Sequence, residues 1–293
     1  MGNKSHNVIS IWGPPAAGKT VVAARLASFY AKKENVVLLL CDPLISGISQ
    51  LLTEEESEKQ RGRTLGHLLP IPSMSISEKA LLRECLVTKQ ENLALLGYRY
   101  RETAAGSFSI YGEELAKQLI SMLRVVADRV VIDCSNDVLS DLLSTVALSQ
   151  SDRNVMVCGA EPKHMVYYDT MMPVFSDSQY GMEHQIKVLN QIWERQEITY
   201  AQEKYGEMDL VVPFSEELFY QWNEKGMLRE HSPIDEMIEK LAKKIDHMGM
   251  EETEEEMTKK GRFYFLPWKK KNNPIKLDKK KIEKEEGIHA NSE

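Results

Sequence analysis

Cysteine is scarce in this sequence. Cys41, Cys85, Cys134 and Cys158 are the only four in 293 residues, and no two form a CxxC pair. That spacing excludes a disulfide framework and a thiolate metal site. Three of the four sit in apolar runs and read as small buried residues of a reducing compartment. The seven histidines show no metal-ligand spacing, and His164, His184, His231 and His247 read as surface or turn residues. No apolar run approaches the ~20 residues of a membrane-spanning helix. The opening MGNKSHNVIS lacks the apolar centre of a signal peptide. Excess positive charge is also missing. A net charge of -7 excludes a chain that coats nucleic acid over its whole surface, while leaving room for a local basic patch. No internal repeat and no Ser/His/Asp or Cys/His set stands out. Together these absences predict a cytoplasmic globular protein.

What is present is an alternation. Short apolar runs at 7–13, 35–42, 91–97, 128–135, 153–159, 184–190 and 208–214 read as strands. Between them, segments near 19–33, 78–89, 112–126, 137–149, 163–176, 215–224 and 233–247 read as helices. Continuous Val/Ile/Leu runs suit strands covered on both faces, so the pattern predicts an α/β fold with a mostly parallel central sheet flanked by helices. Residues 53–79 read as a surface insertion, in which TEEESEKQRGR is a charged loop or a short helix and Pro70 and Pro72 break LLPIPSMSIS. Composition changes after about residue 248. Residues 1–248 read as one nucleotide-binding domain, and 249–293 as a flexible or partner-dependent tail.

Residues 13–20 read GPPAAGKT and match GxxxxGK[ST] in full. The run SIWG leads in as a strand and TVVAARLASFYAKK leads out as a helix, which is the context a phosphate-binding loop requires. Backbone N–H groups of such a loop converge on an anion. Lys19 then reaches the β- and γ-phosphates, and the Thr20 hydroxyl ligates Mg²⁺. Asp133 ends the apolar strand of DRVVIDCS, where such folds place a carboxylate toward the magnesium. Asp42 ends the strand after the first helix. It reads either as a turn residue of CDPLISG or as a group that orients the attacking water.

The order of these motifs resembles the ParA/MinD family of P-loop ATPases over about 1–248. VVPFSEELFYQWNEKGML (211–228) is similar to that family's late strand, proline and helix. Among its branches, the pilus-assembly TadZ/CpaE-like one is nearest in its loose motifs. The resemblance implies that Gly13, Pro14, Pro15, Ala16, Ala17, Gly18, Lys19, Thr20 and Val21 cradle the phosphates. It implies that Asp42 is the switch acid, with Lys19 its catalytic companion, and that Thr20 and Asp133 hold the metal. Asn190 would contact adenine, or would simply end a strand, and Pro213 and Phe214 would lie along the base. The implied ligands are ATP or ADP with Mg²⁺.

One departure matters. The family loop usually reads GKGGxGKT, and its early lysine reaches the phosphates of a partner subunit across a nucleotide-sandwich dimer. Pro14 stands at that position, followed by Pro15. An added cation of this kind is worth orders of magnitude in rate, so its loss predicts slow or partner-stimulated hydrolysis. Arg25 and Lys163 are candidate substitutes. The expected activity is that of a weak ATPase acting as a nucleotide-dependent positioning or assembly factor, in DNA partitioning or in pilus or secretion machinery. A non-hydrolysing scaffold is the alternative. A nucleotide-dependent homodimer and a protein partner are implied. Residues 259–281 carry ten Lys or Arg against Asp278, beside FYFLPW. They read as a solvated tail, or as a peripheral contact with DNA or with anionic lipid at the inner face of the membrane.

Overall fold

The computed structural model describes residues 8–71, 76–99, 102, 111–181 and 185–259. The chain divides into two units after Glu254, and the fold below is that of the first. Its elements alternate as the apolar runs predict. β1 (Val8–Trp12) is followed by α1 (Lys19–Tyr30) and β2 (Val36–Leu40), then by α2 (Gly47–Leu51), α3 (Glu54–Glu58) and α4 (Glu78–Glu84). β3 (Leu86–Val87), β4 (Leu93–Gly97), α5 (Glu113–Val126), β5 (Arg129–Asp133), α6 (Leu142–Gln150) and β6 (Arg153–Cys158) come next. α7 (Pro162–Phe175), β7 (Ile186–Ile192), α8 (Thr199–Tyr205), β8 (Leu210–Pro213), α9 (Glu216–Asn223) and α10 (Asp235–Lys259) complete the series.

Among the described residues the strands form one eight-stranded sheet in the order β3-β4-β2-β5-β1-β6-β7-β8. Every pairing is parallel except the short β3–β4 pair at one edge. Every residue of β1, β2, β4, β5 and β6 is buried. This is what helices on both faces impose, and it is why these strands lack polar alternation. α5 shows the complementary pattern: Leu115, Leu119, Ile120 and Leu123 are buried along one stripe.

Differences from the sequence reading are local. Of the two readings of the insertion's charged TEEESEKQRGR, the short helix is the one found: it is α3, whose Thr53 and Glu56 form a reciprocal capping box. From the same insertion the Gln60 amide pairs with the edge strand, donating to Val87 O at 2.8 Å and accepting from Val87 N at 2.7 Å. A side chain thereby satisfies backbone groups that an open edge would leave free. α6 begins at Leu142 rather than near 137, because the Asp141 carboxylate accepts the Ser144 N–H at 3.0 Å and caps the helix there. All four cysteines are free and buried.

Arg25 ties α1 to the start of α10. Its guanidinium donates to Met227 O at 2.8 Å and Arg229 O at 2.6 Å, and pairs with Asp235 at 2.6 Å. Asp235→Ala would leave a buried guanidinium without its carboxylate, and is expected to lower stability by about 2 kcal/mol. Urea unfolding with an unchanged m-value measures this directly.

Candidate nucleotide site

The phosphate loop follows β1 at the carboxyl end of the central strands. Gly13 takes a φ of +143°, and a Cβ there would overlap the Val157 carbonyl of the neighbouring strand. Gly18, at φ +89°, is packed under Asn190 and has Gln191 Nε2 2.9 Å from the place a Cβ would occupy. Gly18 is also the N-cap of α1, and it offers no side chain to the first-turn N–H groups. Those donors are therefore open to an anion, and no acidic residue occupies the first turn to compete. Between the two glycines, Ala17 N donates to Pro14 O at 3.3 Å, and Ala16 adopts a left-handed φ of 63°.

Lys19 is buried at the head of α1. Its ammonium donates to Pro14 O at 3.1 Å and to Asn136 Oδ1 at 2.8 Å. Burial pulls its pKa down, opposed by the charges of Asp133 and Asp42. Thr20 Oγ1 donates to Asp133 Oδ2 at 2.7 Å. Asp133 lies in register with Leu40 on β2 and Ile11 on β1, so the sheet itself delivers its carboxylate to the loop. Burial pushes the Asp133 pKa up to about 6, against the opposing pull of Lys19 and Thr20. Its second oxygen, Oδ1, is buried with no hydrogen-bond partner.

Asp42 is fully engaged. Oδ1 accepts the N–H groups of Leu44 (2.9 Å) and Ile45 (2.8 Å), which forms the turn that the Asp-Pro pair suggests. Oδ2 accepts from Asn136 N at 3.2 Å and Asn136 Nδ2 at 2.8 Å. Asn136 thus bridges Asp42 and Lys19. The sequence reading passed over it; its signal was its place three residues after the strand-ending Asp133.

These groups line a cavity of about 470 Å³. Ala16, Gly18, Lys19, Thr20, Val21, Asp42 and Asp133 line it together with Asn190, Pro213 and Phe214. Gly13, Pro14, Pro15 and Ala17 shape the loop without lining the cavity. Asn190 is buried and donates from Nδ2 to Ala17 O at 2.8 Å, so it braces the loop. Leu218, Phe219 and Trp222 of α9 extend the apolar wall, and Phe214 stacks on Trp193 with 3.9 Å between ring centroids. Gln191 also faces the cavity, from a left-handed φ of 59° beside an irregular β7–β8 register. Of the candidate substitute cations, Arg25 is committed to Asp235 and the 227–229 carbonyls. Lys163 is ion-paired with Glu161 at 2.8 Å.

The donor set suits a hard cation and a phosphate chain. A hydroxyl hydrogen-bonded to a carboxylate, with the second carboxylate oxygen unpartnered, offers the one or two oxygens that Mg²⁺ takes from protein when phosphates and water supply the rest. The glycine cradle, the open helix terminus and Lys19 fit the phosphates themselves. Fold and site together define an α/β protein with a phosphate-loop motif at the carboxyl end of its central strands.

The particular fold is that of the ParA/MinD ATPases. A plasmid partition protein from Borrelia burgdorferi B31, bound to AMPPNP, superposes with a TM-score of 0.64 at 16% identity, covering 84% of this chain and 100% of the other. A ParA family ATPase from Chlorobium tepidum TLS gives 0.66 at 14% identity, over 82% and 98%. The septum site-determining protein MinD from Pyrococcus horikoshii OT3, complexed with Mg-ADP, gives 0.61 at 18%, over 83% and 97%. No protein-family model matches the chain, and no curated protein matches its sequence. Among the described residues no helix is long and apolar enough to cross a membrane.

Proposed function

We propose that this chain binds Mg²⁺ with an adenine nucleotide and works as a nucleotide-dependent positioning or assembly factor whose hydrolysis is slow or partner-stimulated. The observation that carries the reading is the Thr20–Asp133 pair beside Lys19, at an uncapped helix terminus. Lys19 holds the β- and γ-phosphates, Thr20 and Asp133 hold the metal, and the apolar wall at Pro213 and Phe214 takes the base. Bound Mg²⁺ would neutralise charge that develops on the γ-phosphoryl oxygens. A nucleotide-dependent homodimer, a protein partner, and contact of 259–281 with anionic lipid or DNA belong to the same proposal. Apart from Lys259, that basic segment lies outside the described residues.

A non-hydrolysing scaffold is the second reading, and two features favour it. Both Asp42 oxygens are occupied by N–H donors, and Pro14 stands where a lysine would reach a partner's phosphates.

Calorimetric titration with Mg-ATP tests the binding. Lys19→Ala removes a charged donor to phosphate and is expected to weaken affinity about a hundredfold. Absence of binding by the unaltered chain would overturn the proposal. Turnover measured alone, with anionic vesicles and with DNA then separates the readings: none under any condition leaves only the scaffold.

A further inference from the structure

We propose that His164, at the head of α7, is a positioning residue for the phosphate loop. Its ring holds the Pro15 carbonyl so that the next backbone N–H faces the phosphates. The proposal rests on the nucleotide-binding reading above and adds to it a residue that lies 149 positions away from Pro15 in sequence.

The argument begins with the two prolines. Pro14 and Pro15 have no backbone N–H, so this half of the loop cannot be fixed through donors of its own. What remains to hold it are its carbonyls, and three of them are held. Pro14 O accepts from Ala17 N and from the Lys19 ammonium. Ala17 O accepts from Asn190 Nδ2 at 2.8 Å. Pro15 O faces His164 Nε2 at 3.1 Å, and since a carbonyl only accepts, Nε2 carries the hydrogen.

Peptide geometry converts this contact into an effect on the ligand. Across a trans peptide the C=O of one residue and the N–H of the next point in opposite directions. Drawing the Pro15 carbonyl toward α7 therefore turns the Ala16 N–H away from α7. Ala16 lines the cavity. Its left-handed φ of 63° is one that alanine adopts only when neighbours hold it there.

The ring is pinned for this task. His164 is 3% exposed, and it fills the space that a side chain at position 159 would need. A Cβ on Gly159 would lie 2.6 Å from His164 Nδ1 and 2.9 Å from Cε1. Burial lowers the His164 pKa, which keeps the ring neutral at pH 7 with a single N–H to direct.

Substitutions that separate the two ring nitrogens test the assignment. His164→Gln places an amide N–H near the reach of Nε2, His164→Asn places one near Nδ1, and His164→Leu keeps bulk without a donor. Mg-ATP affinity is expected to fall about tenfold in the Leu and Asn variants, the worth of one lost hydrogen bond, and to stay within about threefold in the Gln variant. Gly159→Ala keeps the histidine but displaces its ring, and is expected to behave like His164→Leu. Equal affinity in the Gln, Asn and Leu variants would overturn the proposal.

Amide hydrogen exchange of the nucleotide-free protein is a second readout. Ala16 and Ala17 are expected to exchange faster in His164→Leu and Gly159→Ala than in His164→Gln. If the unaltered chain binds no Mg-ATP, the nucleotide reading fails, yet exchange still decides the role of His164. Identical exchange in all variants sinks it.

Discussion

Asp133→Asn is expected to stabilise the nucleotide-free protein by about 2 kcal/mol at pH 7.5 while removing the Mg²⁺-dependent part of its nucleotide affinity. The Asp133 carboxyl is buried, its Oδ1 has no partner, and its pKa stands at about 6 against an ordinary value of 3.8. A carboxyl whose folded pKa is raised binds its proton more tightly in the folded state. Its contribution therefore favours folding on the acid side, and turns against folding as pH climbs from 3.8 through about 6.

Amide substitution removes an ionised group the fold does not stabilise, so the gain should be full above pH 7 and small near pH 4. Thermal melts of both proteins across that range provide the measurement. Equal stability at pH 7.5 would show that Lys19 and Thr20 already compensate the buried charge. On the functional side the sign reverses, because the cation requires the ionised carboxylate. Mg-ATP affinity of the unaltered protein should fall as pH drops below about 6, and the variant should not show that fall. Stability given up at a binding site is the trade expected where a carboxylate waits for a metal.

Gly13→Ala is expected to lower stability by about 3 kcal/mol or more, and to abolish nucleotide binding in whatever protein still folds. Two independent penalties coincide. A φ of +143° is open to glycine and strained for alanine, and the added Cβ would overlap the Val157 carbonyl, which belongs to a central strand and cannot move aside. Relief by a shift of the loop would swing Gly13–Thr20 away from Asp133 and Asn190, separating the groups that meet in the cavity. Chemical denaturation together with Mg-ATP titration tests both halves. A variant of unchanged stability that still binds would show that the β1–β6 junction is looser than this packing implies.

Five of the longer strands, β1, β2, β4, β5 and β6, were legible because each is buried along its whole length and so is written as a largely apolar run, while β7 and β8, partly exposed, were read from the apolar cores of HQIKVLN and MDLVVPF. β3 was not. Its two residues, Leu86 and Val87, are too short to show a period, and the Gln60 amide that completes its hydrogen bonding lies 27 residues away. The short helices α2 and α8 also escaped notice, since five or seven residues present barely two turns of pattern. Likewise, the loop glycines, Lys19 and Thr20 could be found because their spacing is local, and Asp133 because it closes an apolar strand. Asn136, Gln191 and His164 could not, because each matters through contacts with residues more than 90 positions away.

By itself, then, the sequence determined the α/β alternation, the phosphate loop, and the acid that faces it. These follow from local hydrophobic period and from the steric freedom of glycine, both of which a short segment carries alone. Only the tertiary structure decided which side chains hold that loop. It turned Arg25 toward Asp235 and away from candidacy as a substitute cation. It tied Asp42 to Asn136 and to its own turn, and it set Asn190 and His164 behind the carbonyls of Ala17 and Pro15. Hydrogen bonds of this kind depend on where parallel strands and their crossover helices bring distant residues, and no local pattern encodes that meeting.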